Sequence, residues 1–374
     1  MKNQISQISS VGSYSGTPAV AVECWFSGFL VGVGVQPKRL CSCAVRSICP
    51  GGWGFTVVTL ETGSQLCVGD LSDSYRHGQE GSPQLDRLVA SGWNHTVVIS
   101  RDCNTVFQSG SCAAVPGDGV LHTPLQAVVF GENVALCSIA AGEQHSIAVD
   151  RNGDVWAWGR NPDGQLGVEG IADSQLQAQQ VARDTINTSA LGASETFFQK
   201  VACGARHSCA LTRSGRLFCW GSNLHDQCGV LPDAGTYVHR PMPVTSLDGL
   251  RVISVAAGLS HTVVCTDAGA VYTWGWNRDG QLGHGPDQPS CRRARLVEAP
   301  ALADVHVVKV CSGSRHCAAL TKDAEVYTWG WNAFGQLGSG SKASSFEPVH
   351  VSGLPAKVHD IECGWWHTLF LVIR

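Results

Sequence analysis

Charged residues are scarce in this sequence. Asp, Glu, Lys and Arg make up 15% of its 374 residues, whereas ordinary soluble domains carry about 25%. The hydrophobic fraction of 44% excludes long-range disorder, because disordered segments have too few apolar residues to build a core. The formal net charge of -4 excludes a basic protein that coats nucleic acid, since such proteins attract phosphate with an excess of Lys and Arg.

The sequence also lacks a long apolar run. No segment approaches the roughly 20 apolar residues needed to cross a membrane, and residues 1–20 are polar, without the apolar stretch of a signal peptide. The 17 cysteines contain no Cys-x-x-Cys pair, so we expect reduced core thiols rather than a zinc site or a disulfide framework. These absences predict an intracellular protein with no membrane contact and no bound metal.

Enzyme signatures are missing as well. The sequence has no Walker loop, no Gly-x-Ser-x-Gly turn, no His-Glu-x-x-His pair and no dinucleotide fingerprint. The histidines outside the repeated motif described below follow no common spacing. We therefore predict a protein that is not an enzyme, has no catalytic residue and needs no cofactor.

What the sequence does have is a repeat. The pattern Trp-Gly-x-Asn-x-x-Gly-Gln-Leu-Gly begins at Trp158 and returns at Trp274 and Trp329, with a weaker copy at Trp220. A second motif, Gly-x-x-His, precedes these copies, and a seventh unit at Gly52 has Phe in the histidine place, so that units recur about every fifty residues. The six pairs are Gly92 and His95, Gly142 and His145, Gly204 and His207, Gly258 and His261, Gly313 and His316, and Gly364 and His367.

The repeat predicts a fold. Short apolar runs separated by Gly, Asp and Asn turns are typical of antiparallel strands, and such small units must stack on one another to bury their faces. The first unit begins with a Trp-containing strand at Trp25, and the last unit, from Gly364 to Val372, has no Trp-Gly strand after it, so each end holds what the other lacks. We predict an all-β, seven-bladed β-propeller of four-stranded antiparallel blades over residues 21–374. Pairing of the N-terminal and C-terminal strands would close it, the N-terminal blades would be degenerate, and residues 1–20 would form a polar tail.

Residues that recur in every unit are explained by what every blade needs. The motif histidines are expected to bond neighbouring backbone and fix the inner turn. The motif glycines are expected to allow positive φ or close backbone approach. The tryptophans of the Trp-Gly pairs are expected to pack between blades. All of these residues are therefore predicted to be structural.

Recognition is expected where the units differ, at the two residues between Gly and His, which occupy a turn on one face. Because closure makes the last unit a neighbour of the first, the tryptophans in these turns would form one aromatic sector, and Trp is enriched at interface hot spots. The alternative is that the rings pack over neighbouring turns as a lid. The candidate partner-binding residues at these positions are Trp53, Trp93, Trp365, Trp366, Arg206 and Arg315.

Two further segments stand out. Residues 168–200 lengthen one unit and are rich in Gln, Ala and Ser, and we expect a long loop insertion of the kind that is usually functional or disordered. Arg292, Arg293 and Arg295 place three positive charges in a short stretch. We expect a basic loop that meets an acidic histone surface, a phosphate or an acidic partner. A solvated loop without a partner is the alternative.

These motifs resemble the regulator of chromosome condensation repeat family, whose units carry both patterns and fold as seven-bladed propellers. The match is specific over residues 142–371 and weak in residues 1–135. Members of the family that sense ultraviolet-B light have Arg after Trp in this turn on successive blades. Here Gly54, Asn94 and Trp366 stand in the arginine place, so photoreception is not expected.

Within the family, a short chain with a degenerate N-terminal half and a Trp-Phe-x-Gly-Phe opening strand is similar to small members that partner a JmjC-type hydroxylase or demethylase. The resemblance implies a monomeric, non-enzymatic scaffold for protein interaction in chromatin regulation and chromosome segregation. The resemblance implies a location in the nucleus and on chromosomes, and it is also compatible with a second population in the cytoplasm. Two alternatives stay open: a guanine-nucleotide exchange factor for a small GTPase, and a module that binds histones or nucleosomes directly.

Overall fold

The structure is a computed structural model that describes most of the chain from residue 22 onward. For strands before residue 89 it describes the backbone alone. The predicted tail 1–20, together with Trp53, Gly54 and Asn94, lies outside the described residues. The described ranges are 22–28, 38–41, 45–50, 56–60, 65–68, 85–93, 95–100, 103, 105–110, 126–131, 134–168, 173–181, 196–230, 235–288 and 290–373.

Strands are the dominant element of the described residues. The first nine are β1 (Val22–Gly28), β2 (Lys38–Cys41), β3 (Val45–Pro50), β4 (Thr56–Leu60), β5 (Gln65–Val68), β6 (Leu85–Ser91), β7 (His95–Ser100), β8 (Val106–Gly110) and β9 (Gln126–Val128). The next nine are β10 (Leu136–Ala141), β11 (His145–Asp150), β12 (Val155–Arg160), β13 (Asp173–Val181), β14 (Phe198–Cys203), β15 (His207–Thr212), β16 (Leu217–Ser222), β17 (Tyr237–Pro243) and β18 (Val252–Ala257). The last nine are β19 (His261–Thr266), β20 (Val271–Gly275), β21 (Cys291–Leu296), β22 (Val307–Ser312), β23 (His316–Thr321), β24 (Val326–Gly330), β25 (Ser345–His350), β26 (Val358–Cys363) and β27 (His367–Ile373).

These strands form antiparallel sheets whose order follows the chain. Sheet 1 contains β3 to β5, sheet 2 contains β6 to β9, sheet 3 contains β10 to β13, sheet 4 contains β14 to β17, sheet 5 contains β18 to β21, and sheet 6 contains β22 to β25. The remaining sheet, called the terminal sheet, has the order β2-β1-β27-β26. Six of the seven sheets in the described ranges have four strands, and sheet 1 has three.

The terminal sheet joins strands from opposite ends of the described chain. Strand β1 pairs antiparallel with β27, so that Trp25 lies opposite Phe370 and Phe26 lies opposite Leu369. The other edge of β27 pairs with β26. Each strand thus satisfies backbone hydrogen-bonding groups that would otherwise lie on an exposed sheet edge. The N-terminal Trp-containing strand therefore pairs with the last strand of the sequence.

Burial is greatest in the second strand of a sheet and lowest in the outer strand. In sheet 5, all six residues of β19 are buried, and their β-branched side chains suit a strand that is packed on both faces. The outer strand β21 is exposed or half-buried along its whole length. The hairpin between β19 and β20 turns at Gly269, whose φ of 83° favours glycine. Ala324 takes the same position in sheet 6 with a φ of 66°.

The core lies between neighbouring sheets and contains the tryptophans of the Trp-Gly pairs. Trp158, Trp220, Trp274 and Trp329 are all 0% exposed. The indole N–H of Trp220 donates to the carbonyl of Gln165 at 2.8 Å, so the buried ring also satisfies its polar atom in the preceding sheet. Trp274 and Trp329 make the equivalent bond at 2.9 Å and 3.0 Å. The predicted packing of these rings between units is confirmed.

Two segments that the sequence predicts to be loops contain strands in their described residues. The segment 168–200, expected to be a loop insertion, contains the outer strand β13 of sheet 3 and the first residues of β14. The arginines of the expected basic loop lie on β21, the outer edge strand of sheet 5. Both strands are polar because they lie at sheet edges, where side chains on both faces can meet solvent. Within the described ranges, no helix has the length and apolar character needed to cross a membrane.

Candidate functional site

The motif histidines link each sheet to the next through side chains. His145 Nε2 lies 3.0 Å from Ser208 Oγ, and the same contact joins His95 to Ser146 at 2.7 Å. The further contacts are His207 to Thr262 at 3.0 Å, His261 to Cys317 at 3.2 Å, and His316 to Thr368 at 2.9 Å. The partner is therefore the residue after the histidine of the following unit, and the expectation of a bond to neighbouring backbone is corrected.

The direction of the hydrogen bonds at Ser208 determines the protonation state of the His145 ring. Ser208 Oγ donates to the carbonyl of Gln165 at 2.8 Å, so it accepts the proton of His145 Nε2. Burial, with smaller contributions from His95 and His207, lowers the pKa of His145 to about 3, and the ring is neutral at physiological pH. A neutral, buried ring held between two sheets is a structural group, as the sequence predicts.

The motif glycines allow the turns of adjacent sheets to meet. A Cβ at Gly258 would lie 2.7 Å from the carbonyl oxygen of Gly313 and would also collide with the ring of His261. The N–H of Leu259 donates to the carbonyl of Ser314 at 2.9 Å across the same boundary. A side chain at Gly258 would separate the turns, so the absence of a Cβ is needed for close approach.

The turns between Gly and His share their face with a further variable position. The backbone N–H of Trp276 donates to the carbonyl of Ser260 at 2.8 Å, and that of Trp331 donates to the carbonyl of Arg315 at 2.8 Å. This residue is the x of the Trp-Gly-x-Asn pattern, and the corresponding residues of sheets 3 and 4 make the same bond. The sequence prediction missed Trp276 and Trp331, although the variability of this motif position was a usable signal.

Another variable position reaches the following sheet. It lies two residues after the motif Asn, and its occupant is acidic in sheets 3 and 5 and aromatic in sheets 4 and 6. The occupants and their contacts are Asp163 with Arg206, His225 with Trp276, Asp279 with Arg315, and Phe334 with Trp366. The face is therefore built from contacts between successive sheets.

Aromatic side chains form a continuous cluster on one side of this face. The ring centroid of Trp93 lies 4.6 Å from that of Trp365 and 6.0 Å from that of Trp366, both edge-on. Trp366 contacts Trp331 at 5.3 Å, and Phe334 at 6.4 Å. We call this set, together with Trp276, the aromatic face. The structure therefore brings Trp93, Trp365 and Trp366 together as predicted.

Arg315 extends the aromatic face from sheet 6 to sheet 5. Its guanidinium carbon lies 5.2 Å from the ring centroid of Trp276 and 6.0 Å from that of Trp331, a geometry in which the charge is attracted to both π faces. A 3.4 Å ion pair with Asp279 holds the same side chain. The indoles of Trp276, Trp331, Trp365 and Trp366 are half-buried, so each ring keeps part of its surface in solvent.

Arg206 is not part of this cluster. Its Nε lies 3.0 Å from Glu143 and its Nη1 lies 3.7 Å from Asp163, while 55% of its side chain is exposed. Burial raises the pKa of Asp163, and the charge of Arg206 opposes that change. The candidate set therefore divides into an apolar part around Trp366 and a polar part around Arg206, which continues the same face over sheets 3 and 4.

The three arginines predicted to form a basic loop lie on β21, the outer strand of sheet 5. Arg292 is 76% exposed and its Nε lies 3.3 Å from Asp226 of the neighbouring sheet. Arg295 donates to Gln288 Oε1 at 2.7 Å, and Arg293 is exposed. The structure thus presents a basic edge strand rather than a basic loop. In the part of the chain that is described, no three His, Cys, Asp or Glu side chains are grouped as metal ligands.

Known proteins share this sequence pattern and fold. A family model described as RCC1-like domain matches residues 80–370. The chain belongs to the RCC1-like family. The ultraviolet-B receptor UVR8 of Arabidopsis thaliana is 33% identical to this RCC1-like chain over 336 residues, which cover 83% of the chain and 72% of the receptor. Human HERC6, a probable E3 ubiquitin-protein ligase, is 31% identical over 316 residues, but the match covers 82% of this chain and only 30% of the ligase.

Solved structures support the same fold. Human WBSCR16 matches with a TM-score of 0.76 and 22% identity, covering 95% of this chain and 99% of WBSCR16. Prp20p of Saccharomyces cerevisiae, described with its binding properties to Gsp1p and histones, matches with a TM-score of 0.76 and 18% identity over 95% of this chain and 92% of Prp20p. At these identities the likeness concerns the fold. The sheets described above are those of an RCC1-like β-propeller.

Proposed function

We propose that this RCC1-like chain is a non-enzymatic scaffold that binds a protein partner through the aromatic face. The contiguous cluster of half-exposed indoles carries this proposal, because Trp is enriched among the residues that contribute most to binding and such residues cluster centrally. The polar pairs around Arg206 continue the face, as the polar rim of an interface does. Rings buried between sheets, such as Trp274, need no partner, whereas the surface rings retain apolar area in water.

The proposed architecture is a ring of seven blades. Each of the seven sheets would be one blade, and the pairing of β1 with β27 would close the ring within the terminal sheet. Contact between Trp93 of sheet 2 and Trp365 of the terminal sheet supports this arrangement, since units near the two ends of the repeat approach each other in it. A closed ring leaves short, protected edges, which favours a monomer. Such a monomer presents the aromatic face to another protein.

The partner that we propose is a JmjC-type oxygenase. The Trp-Phe-x-Gly-Phe opening strand and the degenerate N-terminal units are the features by which this short chain resembles small members of the family that partner such enzymes. Together with it, the chain would act in chromatin regulation and chromosome segregation, in the nucleus and on chromosomes. The scaffold would contribute binding surface, and the reaction would belong to the oxygenase.

Affinity purification of the full chain followed by mass spectrometry tests this proposal. We expect recovery of a JmjC-type oxygenase from cells, and a loss of about tenfold or more in recovery with Trp365→Ala or Trp366→Ala. The matched control is Leu250→Ala. Leu250 is 37% exposed and lies before the first residue of β18, whereas Gly258 follows the last residue of that strand. Undiminished recovery with both tryptophan variants would remove the docking claim.

The exchange-factor alternative has its own readout. Prp20p, which shares the fold, is described with binding to Gsp1p, so nucleotide release from a panel of small GTPases is the discriminating assay. Stimulated release at catalytic amounts of this chain would favour exchange over scaffolding. The outcome expected here is unchanged release together with retained capture of the oxygenase.

Direct binding to histones or nucleosomes is favoured by one observation, the exposed Arg292, Arg293 and Arg295 on β21. If the three arginines contact phosphate, the affinity for nucleosomes should fall as the salt concentration rises. The slope of log affinity against log salt concentration should become smaller as these contacts are removed. Salt-dependent nucleosome binding that is lost when all three become alanine would support this second function. Nucleosome binding that is indifferent to the three substitutions would exclude β21 as its site.

A further inference from the structure

Two cysteines from neighbouring sheets lie side by side. Cys311 is on β22 of sheet 6 and Cys363 is the last residue of β26 in the terminal sheet. Their Sγ atoms are 2.8 Å apart, and neither forms a disulfide. A disulfide bond is about 2.05 Å long, so bond formation requires the two sulfur atoms to approach by less than about 1 Å. A movement of this size is within the reach of side-chain rotation.

Ionic contacts on one side of the pair hold the two strands in register. Lys309, two residues before Cys311, places its Nζ 2.6 Å from Asp360 Oδ1 and 2.7 Å from Glu362 Oε1 of β26. These contacts are only partly exposed, so they are screened less than pairs on an open surface. They fix the position of β26 against β22 at the residue before Cys363.

Hydrogen bonds on the other side complete the alignment. Ser314 Oγ donates to the carbonyl of Trp365 at 2.7 Å, and the backbone N–H of Ser314 donates to the same oxygen at 3.0 Å. His316 Nε2 lies 2.9 Å from Thr368 Oγ1. The two thiols are therefore enclosed between contacts that already join sheet 6 to the terminal sheet, and they meet without a rearrangement of either strand.

The surroundings make the two thiols chemically unequal. Burial and the hydrogen bond to Cys363 raise the pKa of Cys311. Burial also opposes ionisation of Cys363, but the hydrogen bond from Cys311 and the interaction with His316 outweigh it and lower the pKa of Cys363. Because the thiolate is the nucleophilic form, Cys363 is the thiol that reacts first.

We propose that Cys311 and Cys363 are an oxidation site at which a hydroperoxide forms a disulfide between sheet 6 and the terminal sheet. In the first step, the sulfur of Cys363 attacks one oxygen of hydrogen peroxide, the O–O bond breaks, and water leaves with the thiol proton, giving a sulfenic acid. In the second step, the sulfur of Cys311 attacks the sulfur of Cys363, the S–O bond breaks, and a second water leaves. Two thiols are thus oxidised by two electrons and one peroxide is reduced to two waters.

The cross-link would act at a defined place in the fold. Cys363 directly precedes Gly364 and the turn that carries Trp365 and Trp366. A disulfide here ties the base of that turn to sheet 6, and it also joins sheet 6 covalently to the sheet that contains β1. The oxidised chain is expected to unfold at a higher temperature than the reduced chain, because the bond restricts the unfolded state.

A second thiol pair provides an internal control. Cys209 and Cys219 lie opposite each other on β15 and β16, with sulfur atoms 3.2 Å apart, and both are 0% exposed. Cys363 is only half-buried, so peroxide reaches it more readily than it reaches the pair in sheet 4. Buried cysteines in apolar surroundings are inert. Under mild oxidation, the control pair is expected to stay reduced while Cys311 and Cys363 react.

Peptide mapping of the full-length protein tests the proposal. The purified chain is treated with an equimolar amount of hydrogen peroxide, its remaining thiols are blocked with N-ethylmaleimide, and it is digested with trypsin. Cleavage after Lys309, Arg315 and Lys357 places Cys311 and Cys363 in separate peptides, 310–315 and 358–374, and puts Cys317 in a third. The expected product is peptide 310–315 joined to peptide 358–374, two hydrogen atoms lighter than their sum and separated by dithiothreitol.

Two cysteine variants test the order of the two steps, and two outcomes would overturn the proposal. Cys363→Ser is expected to abolish the cross-link, and Cys311→Ser is expected to leave a sulfenic acid on Cys363 that dimedone traps. The wild-type map does not depend on either variant folding. The proposal is overturned if both cysteines of the wild type remain fully alkylated while other thiols oxidise, or if Cys363 is recovered in a cross-link to Cys317.

Discussion

The indole rings of Trp331 and Trp366 meet edge to face across the boundary between sheet 6 and the terminal sheet, with ring centroids 5.3 Å apart and planes inclined by 69°. Trp331 follows a Trp-Gly pair and Trp366 lies between Gly and His, so the contact joins two different motif positions. Neither ring is fully buried. The four Trp-Gly indoles are fully buried, whereas Trp331 and Trp366 form a second set of rings that keeps part of its surface in solvent.

The first prediction concerns Trp331. We expect Trp331→Ala to weaken capture of the partner by about tenfold or more, as for a residue at the centre of an interface. The free energy of unfolding is expected to change by only about 1 kcal/mol, because the ring is half-buried. Titration of the purified partner measures the first quantity and chemical denaturation the second. Equal affinity for wild type and Trp331→Ala would place the interface elsewhere.

The second prediction separates charge from ring stacking at Arg315. Arg315→Lys keeps the positive charge near Asp279 but loses the planar group that faces Trp276 and Trp331, so we expect a destabilisation of about 0.5–1 kcal/mol. The control is Arg206→Lys, at an exposed ion pair, for which we expect a change within about 0.5 kcal/mol. Denaturation midpoints compare the two. A larger effect at Arg206 would contradict the role given to the indoles.

The third prediction concerns pH. Burial lowers the pKa from its ordinary value of 6.5 to about 4 for His95 and to about 3 for His145, His207, His261 and His367. Between those values and 6.5, the unfolded chain binds more protons than the folded chain. The free energy of unfolding therefore falls as pH falls through this window, by up to about 1.4 kcal/mol per pH unit for each histidine.

Denaturation midpoints measured between about pH 7 and pH 4 check this dependence. His145→Gln removes one titrating ring, and we expect its stability to fall less steeply with acid than that of the wild type, whatever its stability at neutral pH. An identical slope for the two proteins would show that His145 binds protons equally in the folded and unfolded states, contrary to the lowered pKa. Above about pH 7, the rings are neutral in both states and contribute no slope.

The fourth prediction compares two glycines. Gly258→Ala places a Cβ 2.7 Å from the carbonyl oxygen of Gly313, and we expect a loss of about 3 kcal/mol because two turns must move apart. Gly249 has a φ of 83°, but a Cβ there would have no other atom within 4 Å, so Gly249→Ala should cost about 1 kcal/mol through its backbone conformation alone. Thermal unfolding of both variants tests whether Gly258→Ala loses more stability than Gly249→Ala. A smaller loss at Gly258 would contradict the close approach of the turns.

Much of the fold follows from the repeat, because each unit repeats the same strand and turn signals. The grouping of Trp93 and Trp365 in one sector was also predictable, since it follows from the order of units and from the pairing of β1 with β27. Their direct contact was not predicted, because sheet 1 separates their two sheets in the order of units. The positions of Trp276 and Trp331 were missed for a physical reason. They reach the turn through pairing of β19 with β20 and of β23 with β24, and sequence spacing within a unit does not reveal which residues that register places side by side.

The outer strands were harder to predict than the inner ones. The sequence predicts a loop for the arginines of β21 because three positive charges lie within four residues, and an amphipathic alternation is confined to the short stretch from Arg293 to Leu296. An edge strand with both faces near solvent needs no such alternation. Strand β13 was hard to recognise because its nine residues are mostly polar and include four glutamines. Hydrophobic pattern identifies strands that must be buried, and it carries little information about strands held mainly by backbone hydrogen bonds.

The pairing of β1 with β27 has a consequence for biosynthesis. Strand β1 leaves the ribosome before the strands of the six other sheets, and β27 leaves after all of them. The edge of β1 that will pair with β27 therefore stays unpaired while those sheets are translated. Unpaired strand edges are templates for aggregation. We therefore expect the nascent chain to need shielding of β1, as chaperones provide, until β27 has emerged and the two strands can pair.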